Sequence, residues 1–400
     1  MSTSKALLFS ARLPHKIIKN ILLILIITIL LCIQSAWAAD IRLAWNPNSE
    51  PDVAGYKIYY GTASRTYGPP INVGNVTSFT LTGLDPRNTY YVAVTAYDTL
   101  NNESGFSNEV RWPYLDIVDF DGDGKTDIAV YRTGNGTWYL RPSAGGMPYG
   151  VGFGGDASDK PVPGDFDGDS KTDIAIYRTS NGAWYVIPSS GASPYGVGWG
   201  GDATDKPVPG DYDGDGKTDI AVYRTSNGTW YVRPSAGGTP YGVGFGGNAS
   251  DKPVPGDYDG DGKTDIAVYR TSNGAWYVIP SSGASPYGVG WGGNASDKPV
   301  QGDYDGDGKT DIAVYRTGNG AWYIRPSAGG AAYGVGFGGD ASDKPVPGDF
   351  DGDGKTDIAI YRTSNGAWFV IPSSGASPYG VGWGGDATDK PVTVNLSSIE

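Results

Sequence analysis

The sequence predicts an all-β protein in which a small N-terminal β-sandwich precedes a β-propeller, and three observations predict it. First, 63 glycines and 28 prolines in 400 residues require many short strands joined by tight turns. Second, residues 41–112 alternate apolar and polar side chains in runs bounded by turn residues, the pattern of half-buried strands. Third, the segment Asp-(Phe/Tyr)-Asp-Gly-Asp-(Gly/Ser)-Lys-Thr-Asp begins at Asp119, Asp165, Asp211, Asp257, Asp303 and Asp349, always 46 residues apart. A unit of that size cannot bury both faces of its own sheet and must stack on its neighbours.

Residues 1–39 read as an export signal. Lys5, Arg12, Lys16 and Lys19 precede an apolar run from Ile21 to Ile33, broken only by Thr28, and Ala36-Trp37-Ala38 is a small-x-small cleavage site. The run is shorter than the roughly 20 residues a membrane span needs. Leu31 before Cys32 is not the small residue that lipidation of the cysteine requires. The expected location is therefore extracellular or on the cell surface, with no span left after cleavage. Cleavage takes the formal charge from −13 to about −17, a surface that repels nucleic acid. It also removes His15 and Cys32, the only histidine and cysteine. Disulfides, zinc sites, thiol nucleophiles and histidine-based triads are thereby excluded, and rigidity must come from a large core, bound metal or both.

Residues 40–113 form the first module, with strands expected at Ile41–Asn46, Ala54–Tyr60, Ile71–Val73, Ser78–Leu84, Thr89–Tyr97 and Phe106–Trp112. Tyr90, Val92, Val94 and Ala96 share one face and Tyr91, Ala93 and Thr95 the other, so one face is expected to be core. At Trp45, Gly55-Tyr56, Leu84-Asp85-Pro86, Tyr90 and Ser107-Asn108-Glu109-Val110 the segment resembles a fibronectin type III domain, with the leucine-to-tyrosine spacing of its tyrosine corner. Its first strand looks short or missing. The resemblance implies a spacer that holds a working domain away from a surface, with Trp45 and Tyr90 in its core.

Residues 115–390 form the repeat array. In the second unit, strands are expected at Pro161–Phe166, Thr172–Arg178, Ala183–Ile187 and Tyr195–Gly200, with Asn181-Gly182 as a hairpin turn. Four antiparallel strands per unit is a propeller blade. A second rhythm overlies the first. Units starting at Asp119, Asp211 and Asp303 carry Arg-Pro-Ser-Ala-Gly-Gly and Gly-Phe-Gly-Gly, whereas the others carry Ile-Pro-Ser-Ser-Gly-Ala and Gly-Trp-Gly-Gly, a super-period of 92 residues. Six units close without mismatch in a six-bladed ring; seven blades or an open array are the alternatives. Residues 391–400 form a tail whose start, Pro391 to Leu396, is expected to add a strand at the seam by pairing with Leu115 to Phe120.

The aspartate loop is a cation site by its chemistry. Asp119, Asp121, Asp123 and Asp127 hold positions 1, 3, 5 and 9, and carboxylates so close repel unless a cation lies between them. Calcium takes six to eight hard oxygens, here completed by the position-7 carbonyl of Lys125 and water. The same set recurs at Asp165, Asp167, Asp169, Lys171 and Asp173; at Asp211, Asp213, Asp215, Lys217 and Asp219; and at Asp257, Asp259, Asp261, Lys263 and Asp265. It recurs again at Asp303, Asp305, Asp307, Lys309 and Asp311, and at Asp349, Asp351, Asp353, Lys355 and Asp357. Ser170 replaces glycine at position 6 of the second loop. An EF-hand is excluded because position 12 is Val130, within a β-patterned run. The loops resemble the FG-GAP/VCBS repeats of integrin α-subunit propellers and bacterial surface proteins, which implies about six structural Ca2+ ions, each between the first two strands of a blade. Six ions would take the charge from about −17 to about −5.

Function is expected to be recognition or adhesion, with glycans or a surface or matrix protein as partner; a purely architectural role is the alternative and a glycosidase the least favoured. The mature chain has only four glutamates, Glu50, Glu103, Glu109 and Glu400, all outside the array, which leaves no acid and base pair for glycoside hydrolysis there. Trp138, Trp184, Trp230, Trp276, Trp322 and Trp368 are expected to pack between blades. Phe153, Trp199, Phe245, Trp291, Phe337 and Trp383, in glycine-rich turns, are the candidate ligand contacts. Arg132, Arg178, Arg224, Arg270, Arg316 and Arg362 are expected to pair with an aspartate of the same or the next blade.

Overall fold

A computed structural model describes residues 39–45, 47–48, 50, 52–62, 66–84, 90–107, 110–112 and 117–394. Residues 1–38 of the expected export signal, residues 85–89 of the corner motif, residues 108–109 and the tail beyond 394 lie outside the described residues.

The first module has strands β1 (Ala39–Ala44), β2 (Val53–Gly61), β3 (Ile71–Gly74), β4 (Ser78–Leu84), β5 (Tyr90–Asp98) and β6 (Val110–Trp112). They form a two-stranded sheet, β1-β4, and a four-stranded sheet, β3-β2-β5-β6. Leu81, Leu84 and Tyr90 lie between the sheets with Leu43, Tyr60, Ile71 and Phe79 packed on them. Trp45 tilts against Tyr56 at 5.4 Å between ring centres. The expectation of a single buried face on β5 needs correction: Ala93 and Thr95 are buried as well as Tyr90 and Val92. Residues 103–107 run along the edge of β5, with the Ser104 and Ser107 amides donating to the carbonyls of Ala96 and Val94. Glu103 is fixed there by Lys57, Tyr59 and Thr95, at 2.5–2.6 Å.

The array begins with β7 (Ile128–Arg132), β8 (Thr137–Arg141) and β9 (Tyr149–Gly152), then β10 (Asp159–Pro161), β11 (Ile174–Arg178), β12 (Ala183–Ile187) and β13 (Tyr195–Gly198). The order β10-β11-β12-β13 makes one antiparallel sheet, and each later unit repeats it. β11 is buried on both faces because sheets pack on both sides of it, whereas β12 alternates, with Trp184 and Val186 buried and Ala183, Tyr185 and Ile187 half-buried. The first strand is shorter than expected, ending at Pro161 rather than Phe166. Pro163 has no N–H to extend the ladder, and beyond Pro161 only the Val162 amide on the Ala175 carbonyl and the Gly164–Asp173 bridge continue the pairing.

Closure uses both ends of the array. A C-terminal strand, Asp389–Pro391, pairs with β7 in the register Asp389–Arg132, Lys390–Tyr131 and Pro391–Val130, completing the sheet of β7, β8 and β9. The expected partner, Leu115 to Phe120, is thus corrected to β7. The reason is chemical: Asp389-Lys390-Pro391 repeats the Asp-Lys-Pro of every other first strand and carries the carboxylate that the second-strand arginine needs. Residues 117–119 instead supply the approach to the first loop, where the Val118 carbonyl accepts from the Asp127 amide. The six four-stranded sheets contact one another cyclically. Thr172 N donates to the Asp119 carbonyl at 2.6 Å, the same bond recurs at each unit, and Thr126 N donates to the Asp349 carbonyl to return to the start.

The seams between sheets hold the core. Trp138, Trp184, Trp230, Trp276, Trp322 and Trp368 are at most 1% exposed, as the packing expectation required, and truncating one to alanine would cost roughly 3–5 kcal/mol. Each tryptophan faces the next sheet: Trp138 and Leu140 meet Ile174 and Ile176, and Trp368 meets Ile128 and Val130 across the closure.

Candidate metal centre

In each loop the chain turns tightly enough to bring alternate carboxylates together. Asp119 accepts from Gly122 N at 2.6 Å and from Gly124 N at 2.8 Å, one oxygen each. Asp127 accepts from Phe120 N at 2.8 Å and from Ser143 N at 2.6 Å. With these fixed, Asp119, Asp121 and Asp127 offer oxygens within 4.8 Å of one another, and so do Asp165, Asp167 and Asp173; Asp211, Asp213 and Asp219; Asp257, Asp259 and Asp265; and Asp303, Asp305 and Asp311. The sixth loop repeats the bonds, with Asp349 accepting from Gly352 N and Gly354 N and Asp357 from Ser373 N.

Position 5 departs from the four-carboxylate expectation. Asp123 accepts from Lys125 N at 3.0 Å and from the Ser143 hydroxyl at 2.7 Å, and it stands outside the converging group. The same serine bond ties Asp169 to Ser189, Asp215 to Ser235, Asp261 to Ser281, Asp307 to Ser327 and Asp353 to Ser373. These serines, in the turn after the third strand of each sheet, were missed by sequence reasoning. Their signal was present, since Pro-Ser recurs at fixed spacing in every unit. Even-numbered units add a second hydroxyl: Ser190, Ser282 and Ser374 donate to Asp167, Asp259 and Asp351.

Electrostatics show what the group lacks. Burial, opposed by its two amide bonds and aided by the Asp127 and Asp123 charges, pushes Asp119 up to about 7. Burial likewise pushes Asp127 up to about 6, with Asp121 adding repulsion. Carboxylate oxygens within 4.8 Å of one another repel by roughly 3 kcal/mol or more at the effective dielectric of a protein surface. Either protons or a cation must relieve that. A hard divalent ion fits oxygen-only donors of this density, with carbonyls and water to complete the shell. Position 6 keeps its geometry in the second loop despite the substitution: Ser170 takes φ 66°, where glycine is otherwise used, and its amide still reaches Asp165 at 2.8 Å.

The lysines of position 7, expected to contribute a carbonyl, also send their side chains to the preceding loop. Lys171 Nζ donates to the Asp121 carbonyl at 3.0 Å, and its methylenes lie where a side chain on Gly122 would stand, 2.8 Å from an ideal Cβ. The same contact runs around the ring to Lys125 over Gly352. Each loop is therefore braced by the next. Farther from the loops, each second-strand arginine clasps an aspartate of the first strand, as in Arg178 on Asp159 at 2.7 and 3.0 Å, and stacks on the third-strand ring, here Tyr185 at 5.0 Å. The aspartate lies in the same sheet, and Arg132 finds its equivalent in Asp389.

The six candidate ligand aromatics sit half-buried in the seams. Trp199, Trp291 and Trp383 donate their indole N–H to the carbonyls of Tyr231, Tyr323 and Tyr139 of the next sheet, each at 3.1 Å. Phe153, Phe245 and Phe337 instead pack on the buried clusters that Ile187, Ile279 and Ile371 of the next sheet also border. The exposed rings are Tyr149, Tyr195, Tyr241, Tyr287, Tyr333 and Tyr379, at 39–44%, a set that the sequence pattern had not separated from its neighbours.

A closed array of four-stranded sheets with an acidic loop in each unit is the architecture of a repeat propeller. The FG-GAP-like repeat family matches residues 119–176, 165–222, 211–268, 257–314 and 303–360, which together cover more than half of the chain, and the chain belongs to that family. The fibronectin type III family matches residues 30–111. A Kelch domain-containing protein of Saccharolobus solfataricus is 41% identical over 70 residues, 18% of this chain and 9% of that protein. Among solved structures, TolB of Acinetobacter baumannii aligns over 72% of this chain and 75% of its own at 13% identity and a TM-score of 0.47. A lectin of Agrocybe aegerita, described as recognising non-reducing terminal N-acetylglucosamine, aligns over 67% and 76% at 17% identity and 0.45.

Proposed function

We propose that the chain is an exported recognition protein whose ring, stiffened by about six calcium ions, presents its seams to carbohydrate on a cell or matrix surface, with the fibronectin type III module as spacer. The observation that carries this reading is the sixfold recurrence of one surface arrangement: an exposed tyrosine followed by glycine at the start of the outermost strand, with a half-buried Phe or Trp four residues on. Aromatic faces beside flexible polar turns suit sugar rings, and repetition around a ring suits multivalent ligands. Calcium serves the scaffold in this reading. Asp119, Asp121 and Asp127 and their equivalents hold the ion, the serine of the following turn orients them, and the bound charge removes the repulsion that otherwise loosens the loop.

Binding is favoured over catalysis because the repeated acids have partners that fix them: the loop aspartates face one another, and the first-strand aspartates are clasped by arginine. A glycan array probed with the calcium-loaded protein and with the protein in EDTA tests the reading. Saturable binding to defined sugars that weakens on chelation is expected. No binding to any sugar in either state would overturn it in favour of an architectural role.

A further inference from the structure

The 92-residue alternation divides the six seams into two kinds. Where a unit ends in Phe153, Phe245 or Phe337, the next sheet offers Ile187, Ile279 or Ile371, and both side chains pack on the same buried cluster. Where a unit ends in Trp199, Trp291 or Trp383, the residue at that register is Arg233, Arg325 or Arg141, and it is exposed. Alternate residues of a strand share a face, so Arg233 lies on the same face as Tyr231, whose carbonyl receives the Trp199 indole. Burial raises the phenol of Tyr195, in the preceding sheet, and the Arg233 charge opposes that rise.

Packing does not require this arginine, since three isoleucines solve the same problem in the other seams. Nor is it spent on the clasp inside the sheet, which uses Arg224 on Asp205. The Tyr195 phenol is also raised by the charges of Asp173 and Asp167 of the metal loop, which a bound divalent cation offsets. We infer that the three tryptophan seams are sites for anionic sugar units, the arginine fork taking the carboxylate or sulfate and the exposed tyrosine the ring. A guanidinium matches the two oxygens of such a group, and on a chain of net negative charge only a local cation of this kind would hold an anionic glycan. The inference rests on the recognition reading and narrows its ligand class.

The test is a calorimetric titration of the full chain in calcium with a galacturonate trisaccharide, its fully methyl-esterified form and a sulfated galactose trisaccharide. The acidic sugars are expected to bind at three sites per chain, roughly tenfold or more tighter than the neutral ester, and the two acids tell carboxylate from sulfate. Arg233→Ile places at one seam the residue that the alternate seams already hold, so folding should survive, checked by an unchanged melt. It is expected to reduce the stoichiometry to two, and Ile187→Arg controls for unrelated changes in charge. Ester and acids binding alike, or three sites retained in Arg233→Ile, would overturn the anionic assignment while leaving carbohydrate recognition standing. If no sugar of any charge binds, here or on the array, the recognition reading fails with it.

Discussion

Replacing Arg132 by alanine should loosen the ring where the C-terminal strand Asp389–Pro391 completes the first sheet. The guanidinium donates to both oxygens of Asp389 at 2.8 and 3.1 Å, and that carboxylate has no exposed surface. Removing one partner leaves a buried charge unpaired, at about 3–5 kcal/mol, which corresponds to about 10²–10⁴-fold in the equilibrium for releasing the strand. What still holds Asp389–Pro391 is the backbone ladder to β7, the Val392 amide on Ala129, the Thr388 carbonyl with Thr133, and the buried Val392 side chain. Arg224 on Asp205 is the control, with the same geometry but partners 19 rather than 257 residues apart. Both alanine variants should melt lower. Hydrogen exchange followed by mass spectrometry should show faster exchange confined to residues 388–393 in Arg132→Ala, while Arg224→Ala keeps its first strand protected relative to its lower global stability. Asp389→Ala added to Arg132→Ala should recover part of the loss. Identical exchange in the two single variants, or wild-type protection at Val392 in Arg132→Ala, would refute the claim that this pair locks the closure.

Three further outcomes follow from the loops. The position-1 and position-9 carboxylates are raised by burial to about 7 for Asp119 and about 6 for Asp127, so in the folded metal-free chain they hold protons that the unfolded chain releases. Their stabilising contribution is full below the unfolded carboxylate range and is lost as pH rises through 6 to 7, so the melt in EDTA should rise as pH falls from about 8 to about 5, with calcium abolishing or reversing the trend; a flat profile in EDTA would contradict the burial argument. Ser170→Gly relieves a side chain held at φ 66° and should stabilise by about 1 kcal/mol in chemical denaturation, with no gain disproving the strain. Gly122→Ala adds a methyl 2.8 Å from Lys171 Cε at φ 79° and should cost about 1–3 kcal/mol, more than Gly145→Ala, whose φ is 85° but whose surroundings are open; equal costs would show that the lysine brace contributes nothing.

Much of this was legible in the sequence because it is local. Asn181-Gly182, the alternation in β12 and the spacing of the aspartates are set by residues within one unit, and the strands of the second unit came out close to Ala183–Ile187 and Tyr195–Gly198. What the sequence hid lies between units. The side-chain role of Lys171 was hidden because its partner, Asp121, is 50 residues away. Asp123 also accepts from a serine 20 residues on, which the loop by itself does not reveal. The closing strand was assigned to the wrong neighbour because near-identical repeats offer several equivalent edges. The super-period was visible as a copying pattern, yet its physical content, tryptophan against arginine and phenylalanine against isoleucine, exists only across the seams.

The central claim, that divalent cations in the loops hold the ring together, is tested most directly by scanning calorimetry of the full chain in about 2 mM calcium and in excess EDTA. With an affinity of about 10⁻⁴ M, at the tight end of the range expected for extracellular modules, each loop would gain roughly 1.8 kcal/mol from binding and six loops roughly 10 kcal/mol. For a ring of this size that is a melting shift of about 20 °C or more. A loss of that order on chelation, restored by adding calcium back, is the predicted result. A melt that does not move in excess EDTA would contradict the account.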